Sequence, residues 1–152
     1  MDPLLLAGRW AFWREVHDHL DGVEYTADGD AELTLQDDGR VRWAEHGTLR
    51  WATGTTPVER TLFLVRADPA AADAPATVDQ SSWRVTFEDG RDFHPWTAGP
   101  VEHLCGRDLY RGGIEAPADR PPSSAWHLTW RVTGPEKDYT MHTAYSRPTP
   151  HN

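Results

Sequence analysis

The run Arg9-Trp10-Ala11-Phe12-Trp13-Arg14-Glu15-Val16 alternates in character and sets Trp10, Phe12 and Val16 on one side. Successive side chains on a strand point to opposite faces, so this stretch predicts a half-buried β-strand and not a helix. The same period recurs along the chain. Ala31, Leu33 and Leu35 fall together within 29–36, before the turn Asp37-Asp38-Gly39. Segments 41–46 and 49–53 read as two short strands flanking Gly47, with Trp43 and Trp51 on their apolar side. Segment 58–66 is apolar on both sides around Leu62, Phe63, Leu64 and Val65. Trp83, Val85 and Phe87 align within 82–87, and Glu88-Asp89-Gly90 turns the chain into 91–96. Strands near 103–111, 125–132 and 138–147 complete the set, and one helical turn is expected at 101–104.

About ten short strands at regular spacing, with little helix, predict an all-β fold: a single closed antiparallel up-and-down β-barrel over 1–152. A two-sheet sandwich is the competing arrangement. The Ala/Pro/Asp-rich segment 67–80 and the Gly/Pro-rich segment 112–124 read as loops, and 148–152 as a short tail.

Composition narrows the function. Of 152 residues, 38% are hydrophobic, yet 8 are Trp, so much of the apolar surface sits in large rigid rings. A net charge of −9 argues against nucleic acid or an anionic membrane as partner, because both require clustered Lys and Arg. The single cysteine, Cys105, leaves no internal disulfide and fits a reducing, cytoplasmic setting. A homodimer is compatible with this composition. Of the 15 basic residues only Lys137 is a lysine. An ammonium is a compact charge that can lose its proton when buried, which a guanidinium cannot.

Strand parity then gathers a candidate binding surface. Trp10 with Phe12, Trp43, Trp51, Trp83 with Phe87, and Trp126 with Trp130 each lie on the more apolar side of their own strand. One barrel interior can receive all of them. The same faces also carry Arg14, Glu45, Asp108, Tyr110, Tyr139, Met141, Tyr145 and Arg147. Buried charges need partners or water, so these positions favour a wet, aromatic-walled pocket over a solid core.

Gly8-Arg9-Trp10, on the first strand, resembles the Gly-x-Trp opening of the calycin superfamily, which includes lipocalins, fatty-acid-binding proteins and nitrobindin-like barrels. The resemblance implies a barrel closed at one end by Trp10, with a basic side chain from the last strand, Arg147, packed across it. Three further motifs are Phe93-His94, His103-x-Cys105-Gly106-x-Asp108-x-Tyr110, and Trp130-x-Val132-x-Gly134-Pro135-x-Lys137-Asp138-Tyr139. Together they resemble a family of small bacterial and fungal proteins known only as a domain of unknown function. That resemblance implies a calycin-like barrel and assigns no residue a role.

Chemistry is read from four side chains. Asp92, His94 and Trp96 share parity, and an imidazole oriented by a carboxylate is a general acid–base arrangement. Asp108 and Tyr110 share a face and can hold a ligand's carbonyl or hydroxyl. Lys137 can serve as a proton donor or Schiff-base amine if burial lowers its pKa, and otherwise as an ion pair at the start of the last strand. Gly106 marks a bulge beside Cys105, which lacks a protease signature. His17-Asp18-His19 is weak as a metal motif, and His127 and His142 are expected on the exposed faces of their strands. No metal or cofactor is expected. Haem, which nitrobindin-like barrels bind, is set aside because no axial histidine stands out.

The expected function is therefore binding of a small, mostly apolar or aromatic molecule. Trp10, Phe12, Trp43, Trp51, Trp83, Trp130, Tyr139, Met141 and Tyr145 would line its cavity, with Arg14 and Glu45 orienting its polar end and 67–80 gating access. The alternatives are a small-molecule cyclase or isomerase in the same cavity, using His94, Asp108, Tyr110 and Lys137, and a structural domain with a filled core.

Overall fold

The computed structural model describes residues 2–66, 83–96, 100–116 and 122–148. After a short 3-10 helix, Pro3–Leu6, ten strands follow: β1 Gly8–Asp18, β2 Glu24–Leu35, β3 Val41–Trp51, β4 Gly54–Arg66, β5 Trp83–Phe87, β6 Asp92–Trp96, β7 Val101–Cys105, β8 Asp108–Glu115, β9 Ala125–Thr133 and β10 Asp138–Ser146. They form one antiparallel sheet in the order β6-β5-β4-β3-β2-β1-β10-β9-β8-β7. Apart from the seam, each strand pairs with its sequence neighbours, and β1 pairs with β10, so the meander curls into an all-β, nearly closed barrel of calycin-like shape. The seam lies between β6 and β7, which approach each other without a ladder among the described residues.

The turns follow from local chemistry. Asp38-Gly39-Arg40 and Asp89-Gly90-Arg91 repeat one design. In each, the glycine takes a positive φ, and the aspartate accepts both the backbone N–H and, at 2.7 Å, the Nε–H of the following arginine.

Strand boundaries differ from the expectation in two compensating ways. Segments 41–46 and 49–53 are one strand, β3, which runs straight through Gly47. Gly47 sits opposite Gly29 of β2, and a Cβ on either would collide with the facing backbone carbonyl. The glycines therefore allow close approach of two strands; they do not break one. Segment 103–111 is instead two strands, β7 and β8, joined by the two-residue turn Gly106-Arg107. Gly106 takes φ +63° in that turn, so it makes a hairpin and not a bulge. The expected helical turn at 101–104 lies in β7, and residues 112–115, expected in a loop, belong to β8. Segment 67–80 lies outside the described residues.

Inward-facing side chains form one continuous core. Leu6, Trp10, Leu33, Val41, Trp43, Leu62, Leu64, Val85, Trp126, Leu128, Trp130, Val132 and Tyr145 are all essentially inaccessible. Trp96 and Trp83, opposite each other on β6 and β5, complete the wall near the seam.

Candidate functional site: a charged cluster under an aromatic barrel end

The buried rings divide along the barrel axis. At the end formed by the starts of β1, β3 and β9, Trp10, Trp43, Trp96, Trp126 and Tyr145 pack on one another. Tyr145 stacks on Trp126 at 3.8 Å between centroids, and Trp43 meets Trp96, Trp126 and Tyr145 edge-on at 5.7–6.0 Å. Arg147 lies over Trp10 at 3.8 Å, the contact its position implied. The Trp10 indole N–H donates to the Leu6 carbonyl at 2.8 Å, which ties the N-terminal helix across this end. These rings fill their end of the barrel and make the floor of what lies beyond.

Beyond the floor, toward the barrel middle, parity on β1, β3, β4 and β10 brings Arg14, Glu45, Arg60 and Thr143 together. Glu45 is only 4% exposed. Arg14 Nη2 donates to both its oxygens, at 2.9 and 3.2 Å, and Arg14 Nε donates to Thr143 Oγ1 at 2.8 Å. The Tyr145 hydroxyl donates to Glu45 Oε2 and accepts from Arg14 Nη2 at 3.2 Å. Arg60 Nη2 stands 2.8 Å from Glu45 Oε1, while its guanidinium lies over Trp43 at 5.4 Å. Burial alone would raise the Glu45 carboxyl, but Arg60 and Arg14 outweigh it and hold the group at about 2. Burial pushes the Tyr145 phenol well up, so it stays a neutral donor. For Arg14, burial works against the charge and the partners Tyr145 and Glu45 more than offset it, leaving the guanidinium above its ordinary value.

A cavity of about 200 Å³ opens onto this cluster, walled by Phe12, Ala27, Leu49 and Val58 and floored by Arg14, Glu45 and Arg60. It is a barrel cavity lined in part by a buried aromatic ring. Glu59 stands at its mouth and is exposed. A larger depression, about 380 Å³, crosses β1, β2 and β10 among Glu15, His17, Glu24, Thr26, Thr140 and His142. Most of those side chains alternate to the outside of the sheet, and of the two only the smaller cavity reaches buried charge.

The residues expected to carry acid–base chemistry fall elsewhere. His94 is 2% exposed, packed against Trp130 at 4.8 Å and Phe93 at 4.7 Å. Its Nδ1 sits 2.9 Å from the Pro95 carbonyl, and burial lowers its pKa to about 4, so the ring is neutral. The expected orientation by Asp92 does not form. The register shifts between β5 and β6, and Asp92 pairs with Arg84 on the surface at 3.0 Å.

Asp108, Tyr110, Lys137 and Tyr139 meet at the opposite rim. Lys137 Nζ contacts Asp108 Oδ2 at 2.9 Å, and that hydrogen bond raises the lysine above its ordinary value, the reverse of what a Schiff-base amine needs. Burial first, then Tyr139, raises the Tyr110 phenol. Gly134 closes the corner: a Cβ there would strike the Asp108 carboxylate. The spaced motifs at 103–110 and 130–139 are thus two adjacent hairpin ends locked by one ion pair. Among the expected wall residues, Trp51 packs with Tyr25 at the rim (6.0 Å), Trp83 is buried on β5 with Arg66 over its ring at 4.8 Å, and Met141 is half-buried against the core.

On the outer face, His127 and His142 are half-buried and touch at 3.1 Å instead of being solvated. His17 faces Glu24 at 3.3 Å and His19 faces Thr140 at 2.9 Å. Among the described residues no three metal-ligating side chains converge. Sequence reasoning misses Arg60 and Thr143, although a signal exists. Arg60 shares parity with Val58, Leu62 and Leu64, and Thr143 with Met141 and Tyr145.

Residues 6–147 match a family of unknown function, DUF6314. The chain belongs to the DUF6314 family. The match spans the first strand to Arg147, and therefore both the ring-filled end and the locked rim. No curated protein matches. Among solved structures, this DUF6314 chain is similar to the S-type phycobiliprotein lyase CPES from Guillardia theta, at 10% identity and TM-score 0.64, covering 97% of this chain and 91% of that one. It is also similar to a de novo designed fluorescence-activating β-barrel, at 13% identity and TM-score 0.47, covering 97% of this chain and 99% of that one. At 10% identity the likeness to the lyase concerns the fold.

Proposed function

We propose that this barrel binds a small, mostly apolar or aromatic molecule in the cavity above the Arg14–Glu45–Arg60 cluster. The observation that carries the reading is a hollow with apolar walls that ends on buried, paired charges. A packed core gains nothing from such a group, because burying ions costs several kcal/mol, on the order of what pairing returns. A binding site gains orientation from it: apolar walls hold the body of a guest and a few fixed polar atoms select its head. The similar fold of a phycobiliprotein lyase supports only the suitability of the barrel shape.

Binding without turnover fits the lining best. Glu45, held at about 2, stays ionised, and its partners hold the Arg14 guanidinium above its ordinary value, so neither exchanges protons near neutral pH. His94, Asp108, Tyr110 and Lys137 are not among the cavity's lining residues. The filled-core reading draws on the five packed rings, and it is the rival to test.

The test is mass spectrometry of denatured, freshly purified protein for a copurified small molecule, with titration of the intrinsic Trp fluorescence by small aromatic probes. A saturable change that Val58→Trp abolishes is expected, since an indole there would occupy the hollow. A signal unchanged across all probes, together with no copurified molecule, would leave the filled-core domain standing.

A further inference from the structure

Resting on the binding reading above, we infer that the guest is a small carboxylic acid whose carboxylate docks on Arg60. The charges enclosed around the cavity floor do not cancel. Arg14 and Arg60 bring two guanidiniums to one carboxylate, Glu45, while Tyr145 and His94 are both neutral there. Glu59, the other acid at the mouth, is exposed, and its place opposite His46 in the ladder turns it to the outer face. One positive charge is therefore left over in a partly desolvated site.

The surplus belongs to Arg60. Glu45 already receives Arg14 on both oxygens and Tyr145 on one. Arg60 Nη2 is near Glu45 Oε1 as an ion pair, yet neither Nη2 nor Nε of Arg60 makes a hydrogen bond, although both atoms are buried. Buried donors left unmade are costly, more so when charged. The Arg60 side chain nevertheless lines the cavity and is 30% exposed, and a planar guanidinium with several N–H groups suits a carboxylate. A guest's carboxylate on that exposed part of Arg60 would make the charges two against two.

Size limits the rest of the guest. A void of about 150 Å³ is enough for benzene, and this one is about 200 Å³. The guest is then one ring or a short chain bearing the acid, placed against Phe12, Leu49 and Val58.

Phenylacetate and phenylacetamide share shape and differ in charge, so calorimetric titration of both decides the matter. Wild-type protein at low salt is expected to bind phenylacetate at least about tenfold more tightly. In Arg60→Met that preference should vanish while phenylacetamide affinity is kept, and Arg60→Lys should restore part of it. Equal binding of the two probes by wild type, or a preference that survives in Arg60→Met, overturns the acid assignment and leaves the cavity reading intact. No binding of either probe to wild type removes both. If Arg60→Met does not fold, the wild-type comparison with Arg60→Lys decides.

Discussion

Glu45 and His94 are buried titratable side chains that tie stability to pH on the acid side, and they act in different windows. An unfolded histidine takes up a proton below about 6.5, whereas folded His94, desolvated among Phe93 and Trp130, waits until about 4. The unfolded state thus binds more protons in between, and stability falls as pH drops from 6.5 to 4, by on the order of 3 kcal/mol. Glu45 behaves as a depressed carboxylate. Its contribution is complete above its ordinary 4.5 and is lost as pH falls toward about 2. Urea midpoints measured from neutral pH down to about 2 should show both slopes. His94→Gln should flatten the upper one only. Glu45→Gln should flatten the lower one and, by stranding two guanidiniums, cost about 3–5 kcal/mol at neutral pH. Parallel curves for wild type and both variants would contradict the assignment.

At the level of strands, two close approaches carry the geometry. The Gly29–Gly47 pair lets β2 and β3 come together midway along β3. Gly47→Ala must push a methyl into the Asp28 carbonyl and shift a strand, so thermal unfolding should drop by the equivalent of about 2 kcal/mol or more. An unchanged melting point would mean the strands can part there at no cost. The second approach is the corner where Gly134 faces Asp108 and Lys137. That ion pair is half in solvent, with side chains 47% and 20% exposed, so a double-mutant cycle of Lys137→Met and Asp108→Asn should return at most about 1 kcal/mol of coupling. A larger value would mean the corner is more tightly enclosed than its exposure indicates. Both corners show where local sequence runs out. A glycine in a strand, such as Gly47, marks either an end or a close neighbour, and the flanking residues do not say which. Lys137 stands out by its rarity alone. Its partner, Asp108, lies 29 positions earlier (137 − 108) and on another hairpin, so only the ladder brings them together.

For the whole molecule, the division of its aromatic content makes an optical prediction. Trp10, Trp43, Trp83, Trp96, Trp126 and Trp130 are buried, Trp51 is half-buried at the rim, and Trp13 is 47% exposed on the outside of β1. Acrylamide should reach few of these indoles. Trp13→Phe combined with Trp51→Phe should remove most of the quenchable emission while leaving the bulk of the fluorescence, and a Stern–Volmer slope as steep as wild type would show the barrel end to be open. The sequence alone determined the fold class and the inward face of nearly every strand, because parity is a local property of a pleated chain. It also marked Arg14, Glu45 and Tyr145 as inward polar groups. Only the tertiary structure decided how far along the barrel axis each one sits. Height follows from the register between strands distant in the chain, as in the bond from Tyr145 to Glu45 across 100 positions. That is why the packed rings, the hollow and the Arg14–Glu45–Arg60 cluster separated into distinct levels only once the sheet had closed.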